Sequence, residues 1–235
     1  LRHARIERWS RGASAVHRLH ATAKILAALT VLICIATLTR HSGFACLAYL
    51  ALLVAGVVAA HLPVGRILAN AAAVLPFAVC FALISAFSGD PDRALMLVVR
   101  GYLSSLTALL LIATTPLPEL LAGLELLHAP VFLLQVMQFL YRYLVVLMQE
   151  AAAMRDAGAS RAGSIRSLEL RKAAGAASVL FARSYGRAQA IHRAMLARGF
   201  DGRMPRFRVI SFRPGDAVFA GAAIAVAVSV RAMLA

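Results

Sequence analysis

Five apolar runs, the first four separated by short polar turns, constrain this chain more than any other feature. They cover roughly Ala21 to Leu38, Phe44 to Ala60, Leu68 to Phe87, Ala94 to Thr114 and Ala217 to Leu234. Each is near the ~20 residues that a helix needs to cross hydrocarbon. In lipid every backbone polar group must be satisfied within the structure, so spanning segments are helices or closed barrels. These runs are continuous rather than alternating, which selects helices. The whole chain agrees: its 235 residues are 61% hydrophobic with mean hydropathy +0.79, against about 45–50% apolar in soluble domains. The fold class that follows is all-α, a polytopic integral membrane protein with about five transmembrane helices. The basic start, LRHARIERWSRGASAVHRLH, shows no small-residue cleavage site, so the first run is expected to be a retained helix.

Charge orients the runs. The net charge is +15, from 25 Lys+Arg against 10 Asp+Glu. Such an excess on so apolar a chain marks cytoplasmic loops rather than a nucleic-acid binder. The basic N-terminus and Arg66 fall on one side, and the acidic turn Gly89-Asp90-Pro91-Asp92 on the other. The N-terminus is therefore expected in the cytoplasm, and four crossings return the chain there at Thr115. A further apolar run, Pro130 to Met148, would break the pattern if it crossed, because Arg155 to Arg213 holds about half of the 25 Lys+Arg. Gln135, Gln138, Arg142 and Gln149 share one helical face, with Phe132, Leu133, Met137, Leu140, Leu144 and Leu147 on the other. The pattern predicts a long amphipathic helix, Pro130 to Arg161, at the cytoplasmic interface.

A second long amphipathic helix is expected from Leu168 to Arg198. Leu170, Ala173, Ala177, Leu180, Phe181, Tyr185, Ala188, Ile191 and Met195 form its apolar face. Arg171, Lys172, Arg183, Arg187 and Arg193 lie opposite. Gly175 and Gly186 interrupt it at a cost of about 1 kcal/mol each, which predicts close approach by a crossing helix. The last run places the C-terminus outside. The expected organisation is thus transmembrane helices over 1–114, a cytoplasmic module over 115–203 and a C-terminal transmembrane helix over 204–235.

Candidate chemistry is sparse. Cys34, Cys46 and Cys80 fall inside apolar runs and read as small buried hydrophobes. His17 and His20 form an H-x-x-H without an acid suitably placed, so they read as solvated interfacial histidines rather than metal ligands. Arg100, about six residues into the fourth run, either pairs with a partner subunit or snorkels to the membrane edge. Glu150 has Arg142 and Arg155 near it by helical spacing and is expected to form a salt bridge that fixes the helix crossing. There is no phosphate-binding Gly-x-x-x-x-Gly-Lys loop, no nucleophilic triad and no paired-carboxylate site. The chain is not expected to be an enzyme, to hydrolyse ATP, or to hold a cofactor or metal. A self-sufficient permease, the alternative, needs polar groups converging at midplane on broken helices; the sequence offers Asn70, Ser85, Ser104 and Ser105.

The two long helices end in related sequences. The second closes Arg193-Ala194-Met195-Leu196-Ala197-Arg198-Gly199-Phe200-Asp201-Gly202, and the first Ala159-Ser160-Arg161-Ala162-Gly163. This arrangement resembles the transmembrane coupling (T) component of energy-coupling factor ABC importers, most closely the CbiQ type of cobalt transporters. Thr115-Pro116-Leu117-Pro118-Glu119-Leu120-Leu121 looks like the short helix before the coupling pair. Tyr141-Arg142-Tyr143-Leu144 with Glu150 resembles the family's Arg-Tyr and downstream acid. His20-Ala21-Thr22-Ala23-Lys24 resembles its His-Pro-x-x-Lys with Ala for Pro, and Ser160-Arg161-Ala162 stands where the family has Ala-Arg-Gly. The resemblance implies two long cytoplasmic coupling helices packed through Gly175, Gly186, Arg142 and Glu150. It implies ATPase docking through Ala197, Arg198, Gly199 and Arg161. The implied partners are two ATP-binding cassette ATPases, a substrate-binding membrane subunit and the lipid of a prokaryotic plasma membrane. The implied cargo is cobalt, with nickel or vitamin importers of the same kind as alternatives.

Overall fold

A computed structural model describes residue 14 and residues 16–38, 43–87, 91–161, 169–202 and 214–233. Every regular element among the described residues is helical: α1 Ala21–Ala36, α2 Gly43–Ala59, α3 Val64–Ala71, α4 Leu75–Phe87, α5 Pro91–Thr114, α6 Leu117–Leu126, α7 Val131–Arg161, α8 Glu169–Ala197 and α9 Pro214–Met233. The protein is a multi-pass membrane protein. All five expected runs are helical. A 3₁₀ turn at Ala72–Val74 joins α3 to α4 into one rod. Its cause is Pro76, which lacks the N–H that would bond Ala72 and whose ring crowds that carbonyl.

Val64–Phe87, Asp92–Thr114 and Gly215–Ala232 are long and apolar enough to cross a bilayer, with mean hydropathy 2.4, 1.9 and 1.5. The helices α1 and α2 are shorter, at 16 and 17 residues. Val131–Ser160 also qualifies, at 1.7. Length and composition thus place α7 among the helices able to span, whereas its Gln-bearing face and the charge pattern had set it at the interface. Its polar face is mostly uncharged, so it barely lowers the mean.

The chain forms two compact units, one from 1–129 with 210–235 and one from 130–209. The first therefore includes α6, which the sequence had grouped with the coupling module. Gly123 explains why. A Cβ there would lie 3.0 Å from Ile25 Cδ1 and 3.1 Å from the backbone nitrogen of Thr22, so bare backbone lets α6 sit against α1. The core of this unit follows i, i+3 and i, i+4 stripes: Val31 and Ile35 on α1, Ala45, Tyr49, Leu53 and Val57 on α2, Leu103 and Leu106 on α5. Fully buried Tyr49 donates its hydroxyl to Ala227 O at 2.7 Å, which fastens α9 to α2.

The N-terminal end of α1 is a polar junction. His20 caps the helix, Nδ1 accepting from the Thr22 N–H, and its own N–H donates to Asp216 Oδ1 at 2.9 Å in the first turn of α9. Lys24, only 5% exposed, donates to Thr114 O at 3.0 Å and His17 O at 3.1 Å. Thr114 ends α5, so the ammonium satisfies a helix-terminal carbonyl where the macrodipole favours a cation. His20 is buried, which corrects its reading as a solvated histidine. The second unit consists of α7 and α8.

Among the described glycines the tightest approach thus lies at Gly123, with Gly56 next, 3.1 Å from Leu110 Cδ2. Around Gly175 and Gly186 nothing stands within 4 Å of where a Cβ would go, and both are exposed. The expectation that they mark a tight crossing is corrected: the half-buried stripe of α8 is Ala176, Leu180, Ser184, Arg187, Ile191 and Met195, one position off each glycine. Gly123→Ala should overpack α6 against α1 and cost about 1–3 kcal/mol. Gly175→Ala and Gly186→Ala should instead gain up to about 1 kcal/mol each through helix propensity. Thermal unfolding of the three purified variants in detergent checks both signs.

Candidate coupling site on the two long helices

The end of α8 is closed by the backbone alone. Gly199 has φ +78°, the left-handed conformation that suits glycine at this position. Its N–H donates to Leu196 O and that of Phe200 to Met195 O, both at 3.0 Å. This is the Schellman pattern, in which the two residues after the helix satisfy its terminal carbonyls. Arg198 sits between, exposed, and its side chain makes no hydrogen bond or ion pair among the described residues. The backbone N–H groups of Gly199 and Phe200, not the Arg198 side chain, thus satisfy the carbonyls of Leu196 and Met195. A planar five-donor group is left presented at a rigid helix end, suited to a carboxylate or to helix-end carbonyls. Small Ala197, also exposed, keeps that end uncluttered.

Arg161 is the last residue of α7. Its side chain, and Ala162 and Gly163 with it, lie outside the described residues.

Glu150 joins the two helices. Its Oε2 lies 3.0 Å from Arg187 Nη2 and its Oε1 3.2 Å from Arg183 Nη1. One carboxylate thus spans two guanidinium groups that stand four residues apart on α8, one turn of the same face. Glu150 is 17% exposed and Arg187 38%, so this pair is screened less than a fully solvated one. A salt bridge at the crossing was expected, but from Arg142 and Arg155. Those partners are corrected. They stand eight and five residues from Glu150, whereas side chains on one helix meet at three and four. Arg155 instead approaches Asp156 at 3.5 Å, and Arg142 is exposed. The true partners had been assigned to the polar face of α8, a face that periodicity finds but whose counterpart on α7 it does not.

The apolar residues of the pair are largely uncovered. On α7, Phe132, Leu133, Leu140 and Leu144 are exposed; on α8, Phe181 and Tyr185 are exposed and stack with ring centroids 6.4 Å apart. Such a surface suits lipid or a protein partner. Among the described residues no group of three or more His, Cys, Asp or Glu is placed to hold a metal ion.

Glu150→Gln should leave Arg183 and Arg187 without a counter-charge and, with both arginines part-solvated, loosen the crossing by about 0.5–1 kcal/mol. Spin labels on the two helices should report a broadened distance distribution. A double-mutant cycle with Arg187→Gln should return a coupling of about 0.5–3 kcal/mol; strict additivity would contradict the clamp.

Comparison with known proteins places these features in a family. The CbiQ family, described as cobalt transport protein, matches residues 12–208. The cobalt transport protein CbiQ of Rhodobacter capsulatus is 34% identical over 125 residues, 53% of this chain and 50% of that protein. An uncharacterized protein of Methanocaldococcus jannaschii is 31% identical over 117 residues, 49% of this chain and 44% of that protein. The alignments thus span about half the length of each relative. The family match, by contrast, runs through both long helices and the motif at Arg198, and this chain belongs to the CbiQ family of cobalt transport proteins.

Proposed function

We propose that this chain is the transmembrane coupling subunit of an energy-coupling factor importer for cobalt. In this reading it carries ATP-driven motion from two ATPase subunits to a substrate-binding membrane subunit. The observation that carries it is Arg198: a guanidinium without a partner among the described residues, at a helix end where the backbone already satisfies the Met195 and Leu196 carbonyls. A group not needed for its own helix is available for another protein. Arg161 at the end of α7 is the second docking point. Glu150, held by Arg183 and Arg187, makes the two helices move as a linked pair. Their exposed apolar residues meet the substrate-binding subunit and lipid. ATP hydrolysis belongs to the partners. The basic stretch Arg155 to Arg213 sets this module and the N-terminus in the cytoplasm of a prokaryotic plasma membrane.

Losing one member of a charged pair buried at an interface costs about 2–5 kcal/mol, more than a factor of ten in affinity. Arg198→Ala should therefore insert normally yet recover far less ATPase on purification and lose cobalt uptake. Arg198→Lys should restore part, since lysine supplies charge without the planar fork. The double variant with Arg161→Ala should release the ATPases. Wild-type ATPase recovery and uptake by the double variant would refute the docking role.

A further inference from the structure

Arg93, Met96, Leu97 and Arg100 line a groove of about 450 Å³ on α5. Their spacing of i, i+3, i+4 and i+7 puts all four on one helical face. Neither arginine makes a hydrogen bond or ion pair among the described residues, and Arg100 Nε is buried without a partner. Among the described residues no carboxylate lines the groove. Two cations two turns apart, about 10.5 Å along the axis, thus face one space that holds no opposite charge from the described residues.

We propose that this groove binds the phosphate headgroup of an anionic phospholipid. Side chains on a helix tilt toward its N-terminus. Arg100, nine residues beyond Pro91, therefore leans back toward Arg93 and toward the membrane edge at which α5 begins. The two guanidinium groups approach the level of the lipid phosphates from below and from beside. Guanidinium suits a phosphate because its parallel N–H groups match two oxygens at once. Met96 and Leu97 wall the groove between the two arginines, and Leu97 is an exposed apolar side chain on that same face. An anion that arrives carrying acyl chains satisfies both parts, whereas free phosphate satisfies only the charges. Of the two roles open to Arg100 from sequence, a partner subunit or the membrane edge, the groove favours the second. The test then separates lipid from protein.

The chain purified in uncharged detergent is examined by native mass spectrometry with phosphatidylglycerol, with phosphatidylcholine, or with phosphatidylglycerol plus excess inorganic phosphate. Wild type should retain one phosphatidylglycerol through activation that strips phosphatidylcholine, and inorganic phosphate should not displace it. Arg93→Gln/Arg100→Gln should lower that occupancy by about tenfold or more. Arg66→Gln, which removes an exposed charge elsewhere on the chain, should leave it unchanged. If the double variant is poorly folded, Arg100→Lys serves: it keeps the charge, loses the fork, and should bind at an intermediate level. Equal retention by wild type and the double variant overturns the proposal. So does displacement by inorganic phosphate, which would identify a free-anion site. Loss of a co-purifying membrane subunit from the double variant, with phosphatidylglycerol retention unchanged, would assign the groove to a partner's carboxylate instead.

Discussion

The ammonium of Lys24 holds the end of the membrane bundle together. It is buried, and it is tolerated there because two carbonyls, those of Thr114 and His17, take its donors. Removing such a charge from water is costly unless its hydrogen bonds are made. The same short segment fastens α9 through His20 and Asp216. One segment at the start of α1 therefore gathers the C-terminus of α5 and the N-terminus of α9, while Gly123 lays α6 over it. Apolar packing inside a bilayer has little hydrophobic drive of its own. Polar anchors and close backbone contact then fix which helices are neighbours, and Tyr49 to Ala227 repeats the device deeper in the bundle.

The second unit uses another economy. Its two helices share one carboxylate between two arginines and leave most of their apolar side chains uncovered. An isolated helix pair with so much exposed Phe, Leu and Tyr is not a finished surface. The proposed assembly would complete it with lipid and partner proteins. The Schellman closure at Gly199 fits the same view, because it frees Arg198 from service to its own helix.

Much of this was readable in the sequence. Runs of apolar residues near membrane length give the helices with ends within about four residues of those expected, since a continuous apolar segment in lipid satisfies its backbone as a helix. Amphipathic periodicity gives α7 and α8 with ends within one residue of those expected. What the sequence hid was pairing across helices. Glu150 looked toward Arg142 and Arg155 because a single helix shows only its own neighbours; Arg183 and Arg187 enter only when α8 crosses. Gly175 and Gly186 drew attention as glycines in a helix, yet the glycine that admits a neighbour is Gly123, in a short helix where it costs little and so looked ordinary. His20 seemed solvated because its cap and its contact with Asp216, 196 residues away in sequence, leave no periodic trace. The run from Leu68 to Phe87 was read as unbroken, and the 3₁₀ turn at Ala72–Val74 shows what Pro76 does to it.

The central claim is that the end of α8 is a docking point for an ATPase. A photo-crosslinking amino acid at position 198, introduced in cells that make the whole transporter, measures this most directly. The account predicts one dominant crosslinked product containing an ATPase subunit, and no such product from the same group at Ser178, an exposed residue near the other end of the helix. Equal crosslinking at both positions, or capture of lipid alone at 198, would contradict it.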